Sequence, residues 1–167
     1  TSKETAETQK LYGLDNPATA SYGRMCLVAR RLSERGVRFV QVYDGGGGGG
    51  GWDAHGKLKD NHSKNAARVD KPVAGLLTDL KRSGMLKDTL VVFTTEFGRL
   101  PISEGLGEGG RDHNPEGYTS FLCGAGVKPG VSYGATDELG YKAAEHPVTV
   151  YDFHATILHL MGVDHTR

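Results

Sequence analysis

The sequence predicts an α/β domain, a mostly parallel sheet sandwiched by helices. Three observations carry that expectation. Helix-period and strand-period segments alternate along the chain, one segment is continuously apolar and β-branched, and carboxylates and histidines recur just past the strand-like segments. Alternation of this kind implies right-handed crossovers between parallel strands. A length of 167 residues fits one domain with a single core.

The first helix is predicted over residues 21–35, where Met25, Val28 and Leu32 recur at helical spacing and Gly36 is a stop. Val37, Phe39, Val40 and Val42 then predict a strand ending at Tyr43-Asp44. From 58 to 82, Ala66, Val69, Val73, Leu76, Leu77 and Leu80 again have helical period, with a fresh start or a kink at Asp70-Pro72 and a stop at Gly84. The run Thr89 to Thr95 suits a strand buried on both faces of a parallel sheet. Residues 98–117 form a Gly-rich polar loop of a length usually functional or disordered. Strands follow at 119–123 and 148–151. A last helix is predicted from about Asp152, its N-cap, to Met161, with Ile157, Leu158 and Met161 inward and Gly162 as its stop.

Lys plus Arg and Asp plus Glu both total 20, so the formal net charge is zero. Binding to nucleic acid or to an anionic membrane loses its main electrostatic driving force. The longest uncharged apolar stretch, Tyr118 to Val127, is half of the roughly 20 residues a membrane span needs. Cys26 and Cys123 stand outside any disulfide or thiolate-zinc spacing. Glycines 45–51 form an uninterrupted run with no turn chemistry behind it, and they read as a placeholder for unidentified residues. The run lacks the Lys-Ser/Thr of a phosphate-binding loop. Thr1 opens without Met or an apolar leader and Arg167 follows a helix with nothing to close it, so the chain is expected to be part of something larger.

In an open α/β sheet, ligands bind beyond the carboxyl ends of the strands. Asp44, Asp53 and His55 follow the first predicted strand, Glu96 and Arg99 the second, and Asp152 and His154 the fourth, while Arg111-Asp112-His113-Asn114 lies in the long loop. Imidazole and carboxylate are the donors zinc, manganese or iron take when thiolates are absent. Asp53-x-His55 reads as a ligand pair or as a solvated turn. Glu96, at the end of a buried strand, needs a partner, which is either a metal or a salt bridge to Arg99 or Arg111. Asp112-His113 reads as ligands or as a loop pair, and His154 as functional or as a neighbour of the helix cap. His62, His146, His159 and His165 read as surface or packing residues.

Gly51-Trp52-Asp53-Ala54-His55-Gly56, Asn61-His62, Asp70-Lys71-Pro72, Thr94 to Pro101, Gly110-Arg111-Asp112-His113-Asn114 and His154 to Gly162 occur in that order. Together they resemble the sulfatase-like domain-of-unknown-function family 1501, over nearly the whole chain. That resemblance implies an alkaline-phosphatase/sulfatase-like fold, and Glu96-Phe97-Gly98 occupies the place of a metal-binding Asp-His-Gly or Asp-Asn-Gly turn. Phe97 departs from that pattern where a second ligand is expected, and Asp53 and His55 are closer in sequence than the corresponding pair in alkaline phosphatases.

The function implied is metal-dependent hydrolysis of sulfate or phosphate esters by the larger protein, with this chain as its C-terminal part. Asp53, His55, Glu96, Asp112 and His113 would hold a divalent cation, zinc, manganese or calcium. Arg99, Arg111 and His154 would steady the transferring group. The nucleophile of such enzymes, a Ser, Thr or formylglycine, has no convincing counterpart here. The resemblance also implies a periplasmic or secreted protein acting on a sulfated or phosphorylated small molecule or polysaccharide. The rival reading is a non-catalytic carbohydrate- or protein-binding module on the same fold.

Overall fold

The computed structural model describes residues 4–45, 51–106 and 109–166. The placeholder reading of glycines 45–51 falls largely outside these residues, as do Thr1 and Arg167. Two compact units divide the chain, Thr1–Met85 and Leu86–Arg167.

The first unit is helical. Helix α1 spans Ala6–Leu11, α2 Pro17–Glu34 and α3 Leu58–Arg82. The Thr5 hydroxyl caps α1 by accepting from the Thr8 N–H, and the Asn16 side chain caps α2 with Pro17 in the first turn. Gly36, at φ 83°, and Gly84, at φ 78°, lie just past α2 and α3 as the sequence predicts, because only glycine takes that conformation at little cost. Pro72 sits inside α3 and the helix runs through it without a fresh start.

The turn after α1 is clamped between the two long helices. A Cβ on Gly23 of α2 would overlap the Tyr12 carbonyl, and one on Gly75 of α3 would overlap that of Leu11. Bare glycine therefore lets backbone approach backbone, and Tyr12 and Leu27 are fully buried among Tyr22, Cys26 and Val69. This packing selects the inward face of α2. Met25 and Val28, on the stripe that defined the predicted helix, are 39% and 46% exposed, whereas Gly23, Cys26, Leu27 and Arg30 are buried.

Polar groups close the same core. The Tyr12 hydroxyl donates to Asp79 Oδ2 (2.9 Å), which also lies 2.8 Å from Arg30 Nε, although that N–H is not aimed at it. Arg31 forks onto both oxygens of Glu4 (2.6 and 2.5 Å). Burial pushes the phenols of Tyr12 and Tyr22 up, Tyr22 to about 12, and the Cys26 thiol up to about 12.

The second unit corrects the predicted fold class. Its strands are β1 Val91–Phe93, β2 Gly98–Arg99, β3 His113–Asn114, β4 Phe121–Cys123, β5 Ala135–Thr136 and β6 Ala143–Glu145. They form three two-stranded antiparallel ribbons, β1 with β4, β2 with β3 and β5 with β6, in place of a parallel sheet sandwiched by helices. A parallel pairing needs a crossover, usually helical. Between β1 and β4 the chain instead folds its long loop into the β2–β3 ribbon, which returns it antiparallel. Phe93 and Phe121 pair across β1 and β4 with stacked rings, 5.0 Å between centroids. Phe93 is 42% exposed, so the run is not buried on both faces.

Two predicted strands are absent. Residues 37–42 carry no strand, and Phe39 there is 64% exposed. Their β-branched composition is a propensity without a neighbouring strand to satisfy it. Residues 148–151 lead into helix α4, Val150–Leu160. Its N-cap is Thr149 rather than Asp152, which sits at N3 and closes a capping box by accepting from the Thr149 N–H (2.9 Å). Gly162, φ 76°, stops the helix as predicted, but Met161 is 44% exposed rather than inward.

Candidate functional site

The candidate residues fall on both units, and each set is built by its own local structure. In the first unit they stand on the segment between α2 and α3. Ala54 is 3% exposed, so it anchors the segment inward, while Asp53 and His55 on either side turn outward. Their donor atoms meet, with His55 Nε2 3.0 Å from Asp53 Oδ1.

What holds that segment is the start of α3. Asn61 and Asn65 both donate to the Gly51 carbonyl, at 2.9 and 2.7 Å. His62 Nε2 lies 3.1 Å from the Trp52 carbonyl, and its ring meets the indole edge to face, 5.4 Å between centroids. The indole N–H donates to Asp44 Oδ2 (2.9 Å), and Arg68 reaches the same oxygen (3.0 Å). Asp44 thus serves structure, and His62, read from sequence as a surface or packing residue, holds the backbone next to Asp53.

In the second unit the candidates gather on the β2–β3 ribbon. Arg99 is paired with His113 across the ladder, and Leu100 N–H donates to the Asp112 carbonyl (2.9 Å), extending it. The Phe97 ring stacks on the His113 imidazole, 4.1 Å between centroids, and the Arg99 guanidinium carbon lies 5.9 Å from the Phe97 ring centre. Phe97, the departure from the expected ligand turn, is therefore the packing platform for Arg99 and His113. Arg99 Nη1 donates to the Arg111 carbonyl (2.9 Å). Asp112 accepts from the His113 backbone N–H (2.7 Å), and an Arg111 Nη1 contact to the Gly110 carbonyl (3.2 Å) keeps that side chain along the ribbon.

Asn114 fastens this ribbon to the β5–β6 region. It is 1% exposed, accepts from the Glu116 N–H (3.1 Å) and donates to the Gly140 carbonyl (3.3 Å). No periodic pattern marks it in the sequence, but a buried amide with both ends bonded is what the turn after β3 requires.

Two candidates stand apart from this ribbon's contacts. Glu96 is exposed and accepts from the Thr95 hydroxyl (3.0 Å), which corrects the expectation that its depth demands a buried partner. The strand before it ends at Phe93, so Glu96 lies in an open turn. His154, exposed on α4, has its Nδ1 2.7 Å from the Val150 carbonyl one turn back.

No curated protein and no solved structure matches the chain. No described helix is long and apolar enough to cross a membrane. A family model described as "Protein of unknown function (DUF1501)" matches residues 1–167, and by that full-length match the chain belongs to the DUF1501 family.

Proposed function

We propose that this chain is the cation-holding part of a hydrolase of sulfate or phosphate esters, with Asp53 and His55 as two ligands of one divalent cation, zinc, manganese or calcium. The contact between their donor atoms, 3.0 Å, is the observation that carries the reading. Two donors bonded to one ion at about 2.0–2.2 Å stand about 3.0–3.5 Å apart for angles from right to tetrahedral, so the spacing of the pair suits one ion that takes the place of the proton between them. The cation would supply Lewis acidity toward an anionic ester. Arg99 and Arg111 offer planar guanidinium donors suited to sulfate or phosphate oxygens, and His154 would be a third group for that charge. Glu96, Asp112 and His113 would be further cation donors. The substrate class is a sulfated or phosphorylated small molecule or polysaccharide, and a periplasmic or secreted location belongs to the same reading.

Elemental analysis after mild dialysis tests it, with about one divalent metal per chain expected. Absence of metal, together with no rise in melting temperature on adding zinc, manganese or calcium, overturns it. Alanine at Glu96, Asp112 or His113 lowers the metal content if that residue is a donor, and unchanged content removes it from the set. The 167 residues alone are expected to hydrolyse neither nitrophenyl sulfate nor nitrophenyl phosphate, because a cation without a positioned nucleophile lacks the covalent step and the sequence holds no convincing counterpart of the Ser, Thr or formylglycine of such enzymes. Turnover that vanishes with Asp53→Ala would contradict the missing nucleophile and leave the cation assignment standing.

A further inference from the structure

We propose that Asn61, His62 and Asn65, a polar stripe at the start of α3, are positioning residues that set the direction in which Asp53 and His55 present their donor atoms to a divalent cation. The inference rests on the cation reading of that pair. Its basis is that the stripe holds two successive backbone carbonyls, those of Gly51 and Trp52, immediately before Asp53. A carbonyl only accepts, so His62 Nε2 carries the proton and is the donor.

The stripe is itself braced. Asn65 Nδ2 also donates to Asn61 Oδ1 (3.0 Å), and Arg68 donates to Asn65 Oδ1 (3.0 Å) while reaching Asp44. Positions 61, 65 and 68 recur at helical spacing, so one face of α3 makes the whole set. Against the buried Ala54, this leaves the Asp53 and His55 backbone little freedom to rotate. Both side chains are substantially exposed, 53% and 42%, so the placement of their backbone bears directly on where their donor atoms stand. Backbone hydrogen bonds from α3 are one means of holding the donor pair at its bite distance. Outer groups that orient metal ligands typically change affinity by about 10- to 100-fold when removed.

The test uses Co²⁺ as the probe, followed by its visible absorption, on the whole chain. His62→Phe keeps a ring against Trp52 and deletes the donor, whereas His62→Gln restores a donor. Asn65→Asp is isosteric and deletes the donor to Gly51, and it carries the test if His62→Phe does not fold by circular dichroism. The wild type is expected to bind Co²⁺, the two donor deletions to bind about 10- to 100-fold more weakly with an altered absorption band, and His62→Gln to recover most of the affinity. A purely structural role would lower the melting temperature and leave affinity and band unchanged at temperatures where every variant is folded, and that result overturns the proposal. A wild type that binds no Co²⁺ overturns the cation reading itself, and the positioning role with it.

Discussion

The two units reach order by different physical routes. In the first, backbone passes against backbone at Gly23 and Gly75, and aromatic and charged groups fill what remains. In the second, among the described residues, no large apolar side chain is buried, Asn114 is the one buried polar side chain, and short ribbons, stacked rings and turn hydrogen bonds hold the chain. Apolar area removed from water is the main favourable term in folding, so the first unit should open last and the second should open locally. The candidate chemistry divides along the same line. Asp53 and His55 stand on a backbone clasped by α3, whereas Arg99 and His113 lean on Phe97 across a two-residue ladder.

The largest expected effect comes from breaking the backbone approach. Gly23→Ala forces its methyl against the Tyr12 carbonyl, and denaturant unfolding should show a loss of about 3 kcal/mol. A midpoint within experimental error of the wild type would mean that α2 does not clamp the turn. Tyr12→Phe removes the donor to Asp79 while leaving the ring, and a loss of about 1–2 kcal/mol is expected in the same measurement. Asn114→Ala should cost about 1 kcal/mol, visible as faster hydrogen exchange at the Glu116 amide with the amides of α2 unaffected. Protection lost equally in both units would erase the distinction between them.

Two smaller effects sharpen it. The Arg31 guanidinium fork holds the Glu4 carboxyl below its ordinary 4.5. The unfolded chain therefore takes up that proton first, so the contribution of Glu4 is complete above about pH 4.5 and fades as acid carries the solution through the lower folded value. Glu4→Gln should flatten that acid limb, and an unchanged slope would remove Glu4 from it. Cys26 is 2% exposed with its thiol pushed up to about 12, so a thiol reagent at neutral pH should label the half-buried Cys123 first and Cys26 only with unfolding of the first unit.

How much was legible follows the same division. The long helices were readable because Val69 and Leu80 repeat at helical period and glycines 36, 84 and 162 mark the ends. Helix α1 was not, since six residues generate little periodic signal and the turn after it is held by glycines far along the chain. Hydrophobic runs such as 91–93 announce a strand but carry no information on whether its partner runs parallel or antiparallel, and here the intervening ribbon decides. At the site, Asp53 and His55 were readable as a pair from their spacing. The clasp was hidden because Asn61, Asn65 and Arg68 look like an ordinary solvated helix face until the carbonyls they hold are seen. The depth expected of Glu96 is lost because the strand before it ends at Phe93, two residues short of Thr95.

Isothermal titration of Zn²⁺ into the wild type and into His55→Ala tests the central assignment most directly. One site per chain is expected in the wild type, weakened at least about tenfold in His55→Ala, since a lost ligand costs no less than a lost outer-sphere partner. Identical isotherms for the two proteins, or no binding to the wild type, would contradict the assignment of Asp53 and His55 to a cation.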